Sequence, residues 1–189
     1  MSLEDKKEEK KVKQADIKEA LMNLLNSSAT GGNQFVTFSI GSEDYGIDIK
    51  KVQEITAFKD LTVLPNTPNY IKGILNLRGN VIPIMDPRVR FGLEEKVFDK
   101  KSVIIIFKSN SKTIGMIVDK ISDVLTIDKE NIEDTPEMAM NIDTSLLSGV
   151  GKVGDKFVII LSIDKILTNK EIEGLSSGKN QELPDSKEV

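Results

Sequence analysis

The densest pattern in the sequence is Gly73-Ile74-Leu75-Asn76-Leu77-Arg78-Gly79-Asn80-Val81-Ile82-Pro83-Ile84-Met85-Asp86. Apolar residues flank a short polar segment, Arg78-Gly79-Asn80, in which the glycine can adopt positive φ. This pattern predicts a β-hairpin with strands at Gly73–Leu77 and Val81–Met85. Asp86 and Pro87 have the order of a helix N-cap and a first helical residue, so we expect a short helix to follow and to end at Phe91.

Two charged residues are candidates for binding near this hairpin. Arg78 lies at the predicted tip, where its guanidinium can form a forked hydrogen bond with a partner's carboxylate. The alternative is that Arg78 pairs with an acid of its own chain and fixes the turn. Glu54 belongs to Lys50–Ile55, which is predicted as one helical turn with Val52 and Ile55 facing inward. Glu54 would then lie near the surface, as a solvated residue, a partner of Arg78 or a charge presented to another protein.

Short runs of apolar and β-branched residues recur on both sides of this hairpin. Further strands are predicted at Phe35–Ile40, Tyr45–Ile49, Leu61–Leu64, Ser102–Lys108, Thr113–Asp119, Asp123–Ile127, Leu146–Val153 and Lys156–Leu161. A turn of helix is predicted at Pro68–Lys72, with proline at its first position. Close spacing of many short strands, with turn residues between them, is typical of one or two small β-barrels. The predicted fold class is therefore mainly β.

The ends of the chain differ from its centre. Residues 1–33 form a charged extension, and Val12–Asn26 has helical spacing, with Ile17, Ala20, Leu21, Leu24 and Leu25 on one face. Because short isolated helices are marginal in water, a partly disordered tail is the alternative there. Residues 34–174 form the domain, with approximate halves at 34–86 and 87–161 and a closing helix at 162–170. Residues 175–189 are predicted to be a disordered tail.

Composition excludes several classes of function. The 189 residues include neither cysteine nor histidine, so disulfides, thiolate sites and a Ser-His-Asp triad are impossible. A formal net charge of −4 and an aromatic content of 5% argue against nucleic acid as a partner. No apolar run approaches the roughly 20 residues of a membrane span, and Met1–Lys13 lacks the apolar core of a secretory signal. We therefore expect no direct membrane insertion.

The acidic run between Asp119 and Asp134 is the remaining candidate for chemistry. Its spacing does not match an EF-hand loop, so we predict no metal site. No pair of carboxylates is singled out, but a carboxylate-dependent hydrolase stays open as an alternative. A convergent pair of acids in a deep cleft would favour the hydrolase. A shallow apolar groove would favour a protein that binds other proteins.

Several segments resemble, in the right order, the CheW family of bacterial chemotaxis coupling proteins. They are Gln34–Phe38, Tyr45–Ile49, Lys51–Ile55, Asn69–Asp86, Gly115–Asp119, Ser122–Leu125, Gly149–Gly151 and Ile163–Leu167. The resemblance covers about Gln34 to Leu175, and Pro87 stands where the family often has an aliphatic residue. It implies two five-stranded, SH3-like β-barrels around a shared hydrophobic core.

The resemblance also implies a non-enzymatic adaptor without cofactor or metal. Such a protein links the cytoplasmic tip of methyl-accepting chemoreceptors to the regulatory domain of the histidine kinase CheA. It would be cytoplasmic and held at membrane-associated receptor arrays through these partners. The receptor's helical hairpin would lie in an apolar groove between the barrels. Within the family, the alternatives are a CheV-type adaptor without its receiver domain or a regulatory barrel cut from a kinase.

Site residues follow from the matching family positions. Val52, Glu54 and Arg78 fall at receptor-coupling positions. Apolar positions associated with the receptor groove match Val103, Gly115, Ile121 and Val124, for which core packing is the alternative interpretation. Gly73 and Asn76 are the candidates for contact with the kinase. The resemblance provides no catalytic residue.

Overall fold

A computed structural model describes residues 33–135 and 142–177 together with Glu19. Its strands are β1 (Asn33–Ile40), β2 (Glu43–Asp48), β3 (Val52–Ala57), β4 (Ile71–Leu77), β5 (Asn80–Met85), β6 (Val103–Ser109), β7 (Lys112–Val118), β8 (Lys120–Ile127), β9 (Ile132–Glu133), β10 (Leu147–Val153) and β11 (Lys156–Leu161). Its α-helices are α1 (Pro87–Arg90), α2 (Ile163–Ile166) and α3 (Asn169–Ser177). Single 3-10 turns lie at Ile49–Lys51, Lys129–Asn131 and Thr144–Leu146. The prediction of a mainly β fold is confirmed.

The strands form two sheets, one from the consecutive strands β3 to β7 and the other from the strands that precede and follow them. The six-stranded sheet has the order β8-β1-β2-β11-β10-β9, and the five-stranded sheet has the order β3-β6-β7-β5-β4. The expected halves at 34–86 and 87–161 are therefore wrong as a division of the strands, because β1 and β2 pair with strands from the second half. These pairings are β1 with β8 and β2 with β11, and local alternation cannot specify such distant partners. The chain passes between the sheets at Ile49–Lys51 and again at Asp119.

The two sheets share one hydrophobic core. Its main cluster draws buried side chains from both sheets, among them Val36 from β1 and Ile105 from β6. The rings of Phe38 and Phe91 both stack on the ring of Tyr45, with distances between ring centroids of 6.1 Å and 5.5 Å. Burial of such aromatic area is a large favourable term in folding. The sheets therefore form one packed body.

The hairpin predicted at Gly73–Met85 is present, and a two-residue turn joins β4 to β5. Arg78 has φ 52° and Gly79 has φ 85°, the pair of positive values that a type I′ hairpin turn requires. The Asn76 side-chain oxygen accepts a hydrogen bond of 3.0 Å from the Gly79 N–H. Beyond β5, the Asp86 carboxylate accepts from the Arg88 N–H at 3.0 Å and caps α1. The predicted cap and helix are confirmed, with Phe91 as the C-terminal cap.

Three local predictions are wrong in whole or in part. The helical turn predicted at Lys50–Ile55 is present only at its start, because Lys50 and Lys51 belong to the 3-10 turn that Asp48 caps. Val52–Ala57 pairs with β6 as strand β3. Leu61–Leu64 forms only an isolated bridge, between Thr62 and Ile74. Pro68–Lys72 contains a turn and the start of β4 at Ile71. At Val52 and at Ile71, strand pairing overrides the local helical preference, whereas Thr62 has only a single bridge to Ile74.

The C-terminal part is more helical than expected. The closing segment 162–170 contains α2 and the start of α3, and helix α3 continues to Ser177. Disorder from residue 175 is therefore wrong for residues 175–177. The physical reason lies at the start of α3, where the Glu171 carboxylate accepts from the Thr168 N–H, at 2.6 Å, and from the Tyr70 hydroxyl, at 2.7 Å. The predicted helix at Val12–Asn26 lies outside the described residues apart from Glu19.

Glu171 gives the fold a testable dependence on pH. Burial raises its pKa, but hydrogen bonds from Thr168 and Tyr70 and the charge of Arg90 outweigh that effect and lower the pKa below its usual 4.5. A depressed pKa in the folded state means stabilisation that is complete above the unfolded pKa and lost as pH falls through the folded pKa. We expect Glu171→Gln to lower the free energy of unfolding by about 1–2 kcal/mol at pH 7.

The measurement is urea denaturation of wild type and Glu171→Gln at several pH values. The difference between the two proteins should be constant above about pH 5.5 and should shrink as pH falls below 4.5. Glu130→Gln, at an exposed position, is the control and should change the free energy of unfolding by less than about 0.5 kcal/mol. A difference between wild type and Glu171→Gln that does not change with pH would contradict the charge-based explanation.

Candidate functional site

An ion pair joins the two candidate charges identified from the sequence. The Arg78 guanidinium lies 3.3 Å from the Glu54 carboxylate. Glu54 is on β3 and Arg78 is in the turn after β4, and these two strands are the opposite edges of the five-stranded sheet. The side chain of Arg78 is 79% exposed and that of Glu54 is 23% exposed. Internal pairing is therefore present, and it leaves most of the guanidinium accessible to another molecule.

An open groove of about 640 Å³ lies beside this pair. Its described lining comes from strands of the five-stranded sheet, from Leu64 and from α3. Buried Ile82, Ile106 and Ile114 contribute apolar surface, and Val81, which also lines the groove, is 63% exposed. A groove with aliphatic residues and the charges of Glu54, Arg78 and Lys112 in its lining suits an amphipathic segment of protein. This position differs from a groove between the two sheets, which the resemblance implied.

Two of the predicted groove residues lie in the core. Val103 on β6 is buried and pairs across the strands with Val118. Gly115 on β7 is buried as well, and a Cβ added there would overlap the side chains of Ile84 and Ile104. Neither residue is part of the groove lining described above. Their environment is the core packing that was the alternative interpretation, and contact with a partner stays a prediction.

The other predicted apolar residues occupy two different places. Val52 is half-buried at the start of β3, two residues before Glu54. Ile121 and Val124 are half-buried on β8, where they pack against the main cluster opposite Phe38 and Val36 of β1. The structure therefore brings Glu54 and Arg78 together near Val52. It places Ile121 and Val124 in the other sheet.

Gly73 and Asn76 have clear local roles in β4. Gly73 has φ 152°, and a Cβ at this position would lie 2.6 Å from the Thr62 carbonyl oxygen. Only glycine allows this close approach of two backbones, which forms the bridge from Thr62 to Ile74. Asn76 is exposed and its side chain holds the turn. Contact of either residue with the kinase stays a prediction.

A buried charge network was missed by the sequence reasoning. The Arg88 guanidinium, with only 5% of its side chain exposed, binds the Asp119 carboxylate, which also accepts from the Gly41 N–H at 2.8 Å and from Lys96 at 3.2 Å. Burial alone would raise the pKa of Asp119, but these three donors lower it below its usual value. Asp119 joins β7 to β8, so the network fixes one of the two crossings between the sheets. The sequence carried no local signal for this network, because Asp119 lies 31 positions from Arg88.

Tyr45 and Asp86 are the other buried polar side chains near this network. Burial raises the pKa of Tyr45 to about 12, with a further increase from Glu43. Burial also raises the pKa of Asp86, although the Arg88 N–H and the Arg88 charge act in the opposite direction. Among the residues that the structure describes, no three acidic side chains are placed to hold a metal ion. Within the same residues, no helix has the length and apolar composition required to cross a membrane.

A shared core and a surface groove beside the Glu54–Arg78 ion pair define a small β protein of two packed sheets. Comparisons with known proteins all identify the same family. The family model of the CheW-like domain matches residues 34–171. The chain is 41% identical over 143 residues to a chemotaxis protein CheW of Klebsiella aerogenes, covering 76% of this chain and 86% of that protein. It is 35% identical over 134 residues to a chemotaxis protein CheW of Helicobacter pylori, covering 71% and 81%.

A solved structure supports the same conclusion. The crystal structure of the scaffolding protein TtCheW from Thermoanaerobacter tengcongensis superposes with a TM-score of 0.69 at 36% identity. The superposition covers 75% of this chain and 92% of that chain. The protein belongs to the CheW-like domain family of chemotaxis scaffold proteins, and its sheets are the two SH3-like barrels of that fold.

Proposed function

We propose that this protein is a chemotaxis adaptor that couples methyl-accepting chemoreceptors to the histidine kinase CheA by binding both. The observation that carries the proposal is the Glu54–Arg78 pair beside an open apolar groove. Membership of the CheW-like family supports it, since the relatives named above are chemotaxis proteins. Its place of action would be the cytoplasm, at receptor arrays reached through these partners.

The receptor tip would dock as a helical hairpin against the surface around Glu54 and Arg78. Helix-in-groove recognition needs an apolar trough for side chains at helical spacing and a few charges that set the register. The exposed guanidinium of Arg78 supplies a forked donor for a receptor carboxylate. Val52 would extend this contact along β3, while Ile121 and Val124 would contribute from β8. Val103 and Gly115 would support the site from the core.

The kinase would contact another part of the β4–β5 hairpin, and Gly73 and Asn76 remain its proposed residues. Such a mechanism works through a coupling free energy between two binding surfaces. Each partner changes the affinity for the other by the same factor. It needs no catalytic residue and no cofactor. The hydrolase alternative finds little support, because Asp119 in the acidic run is occupied by Arg88, Lys96 and the Gly41 N–H.

The deciding experiment is a calorimetric titration of the full chain with two proteins. These are a receptor cytoplasmic fragment and the regulatory domain of the kinase. We expect saturable binding to each, and we expect the presence of one to change the affinity for the other by about fivefold or more. Binding to neither would overturn the adaptor function. Binding to both without mutual influence would overturn the coupling.

A further inference from the structure

The groove extends beyond the Glu54–Arg78 pair to helix α3. Ile172 and Leu175 of α3 belong to its lining, and both lie beyond residue 171, where the family match ends. Its volume of about 640 Å³ is roughly four times that of a cavity that accommodates benzene, about 150 Å³. It therefore has room for several aliphatic side chains projecting from one helix face.

The N-terminal extension enters the domain close to this groove. Asn33 is the first residue of β1, and Phe35 lies opposite Asp48 at the end of β2. The 3-10 turn Ile49–Lys51 follows directly and leads to Gln53 and Glu54, which line the groove. The six residues 27–32 can span up to about 20 Å when extended. A segment that precedes them can therefore extend about 20 Å from Asn33, and the strand end opposite the start of β1 is joined to the groove residues by one 3-10 turn.

That segment has the chemistry of a groove-binding helix. Residues 12–26 place Ile17, Ala20, Leu21, Leu24 and Leu25 on one face. Glu19, the residue of segment 12–26 that the structure describes, has helical backbone and an exposed side chain. Glu19 belongs to the polar face opposite the apolar one. A helix of 15 residues would be about 22 Å long, and at that length it gains stability mainly by burying its apolar face.

We propose that residues 12–26 bind as an amphipathic helix in the groove between the β4–β5 hairpin and α3. The tether gives this segment an effective concentration of about 1 mM, so an intrinsic Kd of about 0.1 mM is enough to keep the groove occupied about nine-tenths of the time. This proposal rests in part on the proposed function, since the receptor would have to displace the segment. The N-terminal segment is then an intramolecular competitor of the receptor tip. The apparent Kd for the receptor equals the intrinsic Kd divided by the fraction of molecules whose groove is open.

Docking itself can be tested without any partner, because the full chain has no cysteine. Val81→Cys places one thiol on the exposed part of the groove lining. A second cysteine replaces Leu21 or Leu24 on the apolar face, or Asn23 or Asn26 on the polar face as matched controls. Mild oxidation at low protein concentration should form intramolecular disulfides at least fivefold faster for one of the apolar-face pairs. Equal rates for both faces would overturn the docking.

Competition is tested with the double variant Leu21→Asp/Leu24→Asp in the full chain. If the groove is occupied nine-tenths of the time, the variant should bind the receptor fragment about tenfold more tightly. The control Asn23→Asp/Asn26→Asp adds the same charge on the polar face and should bind like wild type. Face-selective disulfides with unchanged receptor affinity in the Leu variant would overturn the competition. If no variant binds the receptor fragment, the proposed function fails, while the disulfide rates still decide the docking.

Discussion

Replacing Arg88 with methionine should lower the free energy of unfolding by about 3 kcal/mol or more. Arg88 is an almost fully buried cation whose guanidinium binds Asp119. Methionine fills similar space but leaves the carboxylate of Asp119, which is 18% exposed, without its most buried donor. Removing one member of a buried ion pair costs roughly 3–5 kcal/mol, because the remaining charge stays desolvated. Asp86 would lose a compensating charge as well, since Arg88 lowers its raised pKa.

Urea denaturation followed by circular dichroism measures this loss, and Lys96→Met is the matched control. Lys96 binds the same carboxylate at 3.2 Å, but its side chain is 52% exposed. Exposed ion pairs contribute about 0–1 kcal/mol, so this control should remain close to wild type in stability. If Arg88→Met and Lys96→Met changed the free energy of unfolding equally, burial of Arg88 would not explain its contribution. The comparison therefore separates the effect of burial from that of charge alone.

Local elements of this fold were predictable because their signals are local. The β4–β5 hairpin is encoded by Arg78-Gly79 between apolar runs, and the start of α1 by Asp86-Pro87. Both depend on the backbone preferences of two or three adjacent residues. Such signals do not depend on the rest of the chain, and these elements formed where they were expected.

Sheet membership was not predictable from the same information. Val36 pairs with Val124, and Tyr45 lies beside Ile159, across long separations in sequence. Alternation shows which side chains share a face of a strand but not which strand lies next to it. The same limit affected Val52–Ile55, whose two apolar residues fit either a helical turn or a strand. Pairing with β6 decided in favour of the strand.

The burial of Arg88 was not foreseen, and the C-terminal extent of α3 was underestimated, for a related reason. Charged residues are mostly exposed, so a buried arginine is expected only where its partner is known. Asp119 lies 31 positions away in sequence. Helix α3 depends likewise on Tyr70 and Arg90, which bind Glu171 from distant positions. Polar composition alone predicted disorder there, because composition contains no information about such contacts.

The candidate site was found in part from the residues and in part from the family resemblance. Opposite charges at Glu54 and Arg78 were visible in the sequence, and the structure places them 3.3 Å apart. The family resemblance implied a groove between the two barrels. The described lining of the observed groove belongs mainly to the five-stranded sheet and α3. Apolar residues such as Val103 gave no local signal that separates core from groove. Exposure decides that distinction, and it depends on the complete fold.

Reversing charge at the groove should have the largest effect on function. We expect Arg78→Glu to weaken binding of the receptor fragment about tenfold or more, because a forked donor becomes a like charge facing the receptor's acid. Glu54→Arg should weaken binding to a similar degree. Neither change should alter the free energy of unfolding by more than about 1 kcal/mol, since exposed ion pairs contribute little. Titration calorimetry with the receptor fragment and urea denaturation of each variant measure the two quantities.

The exchanged double variant Glu54→Arg/Arg78→Glu decides what the pair is for. It restores an ion pair of opposite polarity between β3 and the turn after β4, but it presents the wrong charge to the receptor. If the pair only stiffens the edges of the sheet, the exchange should recover receptor binding. If Arg78 contacts the receptor directly, binding should stay at least tenfold weaker although the fold is intact, and this is the result we expect. Because 79% of the Arg78 side chain is exposed while it pairs with Glu54, one residue can hold the turn and still offer donors to a partner.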